Sequence, residues 1–322
     1  MGVLREGATV MAGRPRSPPL AWLMAQPVQH DLAKLVLPIK ASPQGVPSND
    51  ATAEHATHFA RRLTKPAFET GAESHAEANK RALLLSSSAV PGASRLAAKL
   101  TCDDGEDPAV SLAHPVYMRM FRRVIGSELL ISIHQTRAAG LRVNSFTLVW
   151  LEHAVAAAAL LRFDPAPPIA WLRRIILKHL PRNARGWLYA QLHGEYEAKS
   201  GTFVIHFHGI AAGDYLAALD GPMRQDLKDQ LKAKLDALPT LTTDPKVRVV
   251  LKVAKLQDTP RQVSYVLQSW WPSRPMVMTP RGWKRVRAKG RIPEPHHTNY
   301  LLWLDQQSIS GLRLRMGLGS GG

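Results

Sequence analysis

Two β-like segments, Gly186–Glu197 and Thr202–Ala211, stand on either side of Ala198-Lys199-Ser200-Gly201. So short a connection leaves an antiparallel return as the natural path, and its glycine supplies the positive φ that a tight turn asks for. If Glu197 pairs with Thr202, then His193 lies opposite His206 and Gln191 opposite His208. Side chains alternate along a strand, so His193, Glu195, Glu197, His206 and His208 share one face of the hairpin while Phe207 points to the other. A one-residue slip would change which carboxylate is nearest the histidines, but not the face they share.

Around this hairpin the apolar residues are unevenly spread. Residues 1–110 alternate Pro, Ala, Ser, Gly and short charged stretches without a sustained period, as in Arg14-Pro15-Arg16-Ser17-Pro18-Pro19, and read as a low-order region. Short helices are expected within it near Ala51–Leu63 and Glu73–Leu85, and the acidic run Asp103–Asp107 reads as its last linker. From Val110 the pattern changes. Residues 112–139 are predicted helical, with Tyr117, Phe121, Val124 and Ile125 at helical spacings. Asn144–Trp150 reads as a strand, an Ala-rich helix is expected from Glu152, and Ile169–Leu180 is predicted as an amphipathic helix with Arg173, Arg174 and Lys178 outward. After the hairpin, Leu216–Leu238 reads as one or two charged helices and Val247–Val253 as an alternating strand. Thr259-Pro260 opens a further helix, with Thr as N-cap and Pro in its first turn, running to about Trp270. Strand, helix, hairpin, helix, strand, helix is the order of an α+β fold with a mostly antiparallel sheet flanked by helices. The expected division is a low-order region over 1–110, a folded unit over 111–272 and a basic segment over 273–322.

Charge narrows the class of partner. The chain of 322 residues carries 42 Lys and Arg against 25 Asp and Glu, and from Lys246 onward 14 basic residues face three acidic ones. Such an excess favours a polyanion, either nucleic acid or an anionic surface. A single cysteine, Cys102, excludes an internal disulfide framework and Cys-rich zinc modules, and suits a reducing cytoplasm. No run of ~20 apolar residues spans a membrane, and Arg5, Glu6, Arg14 and Arg16 interrupt any secretory core, so a cytoplasmic location is expected.

Two imidazoles one residue apart on a strand, joined by a carboxylate from the partner strand, suit a divalent cation with open positions: Mn²⁺ or Mg²⁺, with Zn²⁺ also possible. The same spacing also occurs on solvated sheet faces. The acidic partner strand and Gly209, which permits close approach to the backbone, favour the ligand role. On the helix that Thr259 opens, Val263, Val266, Leu267 and Trp270 form the expected buried stripe and Tyr265 stands on the polar face. A phenol of pKa ~10 becomes a nucleophile only where a cation stabilises it, and Arg261, one turn earlier, is placed to position a phosphate. Tyr300, among Leu301, Leu302 and Trp303, reads as a packing residue.

The strand Phe146-Thr147-Leu148-Val149-Trp150, the hairpin Ala190–Glu197 with His206-Phe207-His208-Gly209, and Val263-Ser264-Tyr265-Val266 resemble, in this order, the three motifs of the HUH endonuclease superfamily of rolling-circle replication initiators, relaxases and single-strand transposases. The resemblance covers about residues 140–272. It implies a cation held by His206 and His208 with Glu197 or Glu195, and Tyr265 attacking single-stranded or hairpin DNA in the replication of a plasmid or another mobile element. Arg261, Lys252, Lys255, Arg281, Lys284 and Arg285 would hold the backbone, and Trp270, Trp271 or Trp283 would stack on unpaired bases, Trp271 reading as the more open and Trp270 as core. Gln268 and Ser269 stand where many replication initiators carry a lysine one turn after the tyrosine, and Glu197 and Glu195 lie nine and eleven residues before His206, further than the family's usual acid. Two other readings are a basic nucleic-acid-binding protein without catalysis and a metal hydrolase in which Tyr265 has no part.

Overall fold

The hairpin forms in the expected register. Strands β1 (Val143–Ala156), β2 (Leu188–Glu197), β3 (Thr202–Ala212), β4 (Leu251–Lys255), β5 (Met276–Thr279), β6 (Gly282–Arg285) and β7 (Arg313–Met316) make two sheets. β2 and β3 pair Glu197 with Thr202, His193 with His206 and Gln191 with His208, and Gly201 turns the chain at φ 61°. The main sheet has the order β4-β1-β3-β2-β7 with every neighbour antiparallel, and β5 and β6 form a separate ribbon. Helices flank the main sheet, giving the α+β architecture the element order implied. This computed structural model describes residues 69–101, 110–198, 200–237, 251–256, 259–268, 270–273, 276–279, 282–285 and 290–318, so the helix expected near 51–63 and the first half of the strand expected at 247–253 lie outside the described residues.

The helix expected near Glu73–Leu85 forms, and low order through residue 110 is corrected at its C-terminal end, where that helix and a second one pack into the core. Helix α1 (Gly71–Ser86) starts on a capping box, in which Glu73 N–H donates to Thr70 Oγ1 and Thr70 N–H to Glu73 Oε2. Helix α2 (Ala93–Leu100) follows, and Leu85, Leu96 and Leu100 enter the common core, because apolar residues too few to mark a stripe in sequence are enough where two short helices share them. Helix α3 (Pro115–Ala138) presents Tyr117, Phe121, Ile125, Leu129 and Ile133 along one buried line, one per turn. Where an Ala-rich helix was expected from Glu152, β1 continues to Ala156 and passes into a 3₁₀ turn over Ala157–Arg162. The reason is tertiary: Thr202, Phe203 and Val204 of β3 take Ala156, Val155 and Ala154 as ladder partners, which outweighs alanine's preference for helix.

Helix α4 (Ala166–His179) buries Leu172, Ile175 and Ile176 and exposes Arg173, Arg174 and Lys178, as its pattern predicted. The charged stretch after the hairpin divides into α5 (Asp214–Asp220) and α6 (Pro222–Ala237). Helix α7 (Thr259–Val266) is one turn shorter than expected: the chain turns at Leu267 and Gln268, and Trp271 crosses to the opposite face of the sheet. The basic segment beyond 273 is not a tail. Helix α8 (His296–Gln306) buries Tyr300, Leu301, Trp303 and Leu304, and β7 closes the β2 edge of the sheet with Leu314 and Met316 inside.

The two faces of the sheet differ in chemistry. Phe146 and Leu148 of β1, Leu188, Ala190 and Leu192 of β2, and Phe203, Ile205 and Phe207 of β3 line the apolar face and are buried throughout. Each such side chain removed from water contributes about 1.5–3 kcal/mol, except the smaller Ala190. Gly194 and Gly209 belong to this face too: a Cβ at Gly194 would meet the Trp271 ring, and one at Gly209 the Phe146 ring. Gly209 therefore gives room to the core and not to a ligand. The polar face carries Thr147, Gln191, His193, Glu195, Glu197, His206 and His208. α3 crosses one end of it, where Arg313 lies over the Phe121 ring at 5.7 Å and Arg315 pairs with Glu128 at 3.3 Å.

Candidate functional site

The antiparallel ladders place Lys252, Thr147, His208, Gln191 and Arg313 in one transverse row across five strands, with His206 and His193 paired in the next. On this row the histidine orientations are fixed by their Nδ1 atoms. His206 Nδ1 lies 3.0 Å from the Val204 carbonyl, so the proton is on Nδ1 and Nε2 carries the lone pair. His208 Nδ1 lies 2.9 Å from Thr147 Oγ1. The two Nε2 atoms lie 3.1 Å apart at hydrogen-bond distance, His208 Nε2–H donating to the His206 Nε2 lone pair, so a cation would take the place of that shared proton.

Nitrogens each about 2.0–2.1 Å from one cation stand about 2.8–3.4 Å apart as the angle between them opens from square to tetrahedral. The observed separation falls in that interval. With Nδ1 engaged by a carbonyl or a hydroxyl, each ring has the outer hydrogen bond that orients a ligating imidazole. His206 and His208 thus fit a divalent cation bound through Nε2. Among the described residues no third His, Cys, Asp or Glu forms a three-ligand cluster with them.

The two acids separate. Glu197 faces Thr202, four residues up the strand from the partner of His206, which is about 13 Å and beyond the reach of a carboxylate to a cation on that imidazole. Its expected place as a ligand is corrected by the register, since face parity says nothing of distance along the strand. Glu195 is the nearer acid, two residues from His193, and both carboxylates are buried.

Tyr265 comes to the pair from outside the sheet. Its ring centroid lies 4.5 Å from that of His208, and the residue is 41% exposed. Two side chains hold α7 in this position. Gln262 Nε2 donates to the Lys255 carbonyl at 3.1 Å, and His193 Nε2 donates to the Val266 carbonyl at 2.8 Å. The expected tyrosine is therefore over the expected histidines, with His206 half-buried and His208 buried. The sequence assigned His193, Thr147 and Gln262 no role. Parity already placed His193 on the right face, but Thr147 could be found only from the β1–β3 register, which joins residues about sixty apart.

The proposed phosphate ligands divide. Lys252 is exposed at the end of the His208 row, and Arg261 is exposed on α7 one turn before Tyr265. Lys255 is exposed but pairs with Asn144, and so belongs to the other face at the sheet's end. Lys284 and Arg285 lie in β6, apart from the main sheet, and Arg281 lies outside the described residues. Trp271 is corrected: it is 4% exposed and packs against Phe203, Tyr300 and Trp303, while Trp270 is the tryptophan at the surface. Continuing the helical phase of α7 past its true end exchanges the two.

No helix among the described residues is long and apolar enough to cross a membrane. Comparison of the chain with protein-family models, with curated proteins and with solved structures finds no match.

Proposed function

We propose that this chain nicks and rejoins single-stranded DNA through Tyr265, in the manner of the HUH endonucleases that its three motifs resemble. The observation that carries the reading is the meeting of a nucleophile and a ligand pair from distant parts of the chain, with the Tyr265 ring 4.5 Å from His208 and the His206 and His208 Nε2 atoms converging at 3.1 Å. Chance could supply a two-histidine spacing, but it gives no reason for a tyrosine on a separately anchored helix to stand over it.

His206 and His208 would hold Mn²⁺ or Mg²⁺, which when bound polarises the phosphoryl oxygens of a DNA strand. Arg261 and Lys252 flank that position and attract the backbone. Tyr265 Oη gives up its proton and forms a bond to phosphorus, the bond to the 3′ oxygen breaks, and that oxygen leaves as a 3′ hydroxyl after taking a proton. The result is a 5′-phosphotyrosine that conserves the bond for rejoining. His193 acts by positioning, since it holds the carbonyl next after Tyr265.

Purified protein incubated with Mn²⁺ and single-stranded or hairpin DNA is expected to give a covalent adduct on denaturing gels. Tyr265→Phe should abolish it, and His206→Ala or His208→Ala should slow it by about 10³-fold, the several kcal/mol that a Lewis acid supplies. Steeply salt-dependent binding without adduct, unchanged by the histidine substitutions, would identify a nucleic-acid-binding protein instead. Phosphoesterase activity surviving Tyr265→Phe would identify a hydrolase.

A further inference from the structure

We propose that the cavity beside the exit of α7 binds one unpaired, amino-bearing nucleobase of the strand that lies across the histidines. This rests on the reading of the chain as a single-strand DNA enzyme, and adds a substrate pocket to it. The cavity measures about 310 Å³, and Trp270, Trp271, Tyr300, Glu73, Glu77 and Arg291 are among its walls.

Its place is set by the segment that leaves the tyrosine helix. The Val266 carbonyl is held by His193, the Trp271 ring covers Gly194, and Tyr196 N–H donates to the Pro272 carbonyl at 2.9 Å. Trp270 is thereby fixed beside the β2 edge beyond β7, next to the strand that carries His193. The aromatic floor is rigid: the Trp271 backbone N–H donates to Tyr300 Oη at 3.0 Å, the two rings stack at 5.2 Å, and both residues are buried. Trp270, 36% exposed, is the ring at the mouth.

The charges of the cavity choose the part of a nucleotide that enters. Glu77 is braced by Arg291 at 2.9 Å and by Arg81 at 3.0 Å. Glu73 accepts from Thr70 N–H, which holds its carboxyl below the usual range and keeps it ionised. Arg81 and Arg291 also line the wall but are turned to Glu77, which leaves Glu73 as the carboxylate placed to accept from a base. A flat ring with an exocyclic amino group meets both kinds of wall, stacking on tryptophan and donating to a carboxylate, and cytosine and adenine carry such a group whereas thymine does not.

The test uses the full chain with Tyr265→Phe, so that no adduct forms, and fluorescence anisotropy with labelled oligo-dC, oligo-dA and oligo-dT. Oligo-dC and oligo-dA are expected to bind more tightly than oligo-dT. Trp270→Ala should weaken oligo-dC binding about tenfold, within the about 5- to 150-fold that stacking of one base is worth, and Trp270→Phe should restore most of it. Neither should alter the slope of log K against log salt, because no phosphate contact is removed. Glu73→Gln keeps the capping box and should erase the preference for oligo-dC over oligo-dT. Unchanged affinity in Trp270→Ala, a shallower salt slope, or no preference among the three oligonucleotides would overturn the pocket. An adduct formed by the Tyr265 protein while Trp270→Ala binds normally sinks the pocket alone. Trp270-dependent binding without any adduct sinks the nicking reading alone, and absence of single-strand binding sinks both.

Discussion

His193 stands beside the facing pair His206 and His208 without joining it. Its Nε2 is committed to the Val266 carbonyl, so it holds the helix of Tyr265 above His206 and His208. His193→Phe keeps the ring and loses the donor. A buried carbonyl left without its partner costs about 1–3 kcal/mol, so thermal unfolding should move to lower temperature. Adduct formation should fall by a larger factor than DNA affinity, which separates positioning from binding. Gly194, its neighbour, works on the opposite face. Gly194→Ala puts a methyl into the Trp271 ring and should destabilise the protein by about 1–3 kcal/mol, measurable by urea unfolding, with the histidine pair untouched. Period-two alternation was enough to put His193, His206 and His208 together, because it depends only on the hairpin. It could not say which nitrogens face inward: the Val204 carbonyl that holds His206 is local, but Thr147 Oγ1 and the Val266 carbonyl, which hold His208 and His193, arrive through a ladder and a helix end formed at long range.

Elements differ in how much of themselves they carry locally. The β2–β3 hairpin has its turn and register within its own residues and forms as its sequence predicts; α4 has its stripe locally but starts at Ala166, before the expected Ile169, because prolines fit a helix's first turn. β1 does not: past Val149 its register to β3 shifts, and its last residues are strand only because β3 needs partners there. α7 is intermediate, with a legible start and an end imposed by Trp271 crossing to the core. β7 is the extreme case, four residues whose membership of the sheet is invisible without β2 beside them. Deleting residues 313–322 strips the edge of β2 over Leu188–Gln191 and removes Leu314 and Met316 from the core. An uncovered strand edge pairs with other copies, so the shortened chain should melt earlier and elute as larger species in gel filtration.

Taken whole, the molecule sets a basic chain on a core that contains histidines which burial holds neutral well below their usual range. His114 is fully buried at the start of α3, where Nδ1 accepts the Val116 N–H at 3.2 Å, and burial with nearby His75 and Arg81 lowers its pKa to about 4. His297 is lowered to about 4 as well, by burial and by Arg81 and Arg291, against the opposing pull of Glu294. In the unfolded chain both take a proton near pH 6.5. Between about pH 6.5 and 4 the unfolded state therefore binds more protons, and stability falls as pH falls. The urea midpoint should drop across that window, and His114→Asn, which keeps an N-cap acceptor but cannot titrate, should flatten the drop. The two faces of the sheet lead to a different kind of consequence. Every residue assigned to the chemistry stands on the polar face or on the helix above it, while the burial that holds the sheet together lies largely behind it. The proposed chemistry and the folding are thus written on separate sides of one page: a lineage can erase the first and keep the second, so a few substitutions at His206, His208 and Tyr265 would leave the fold standing as a frame on which another activity could be built.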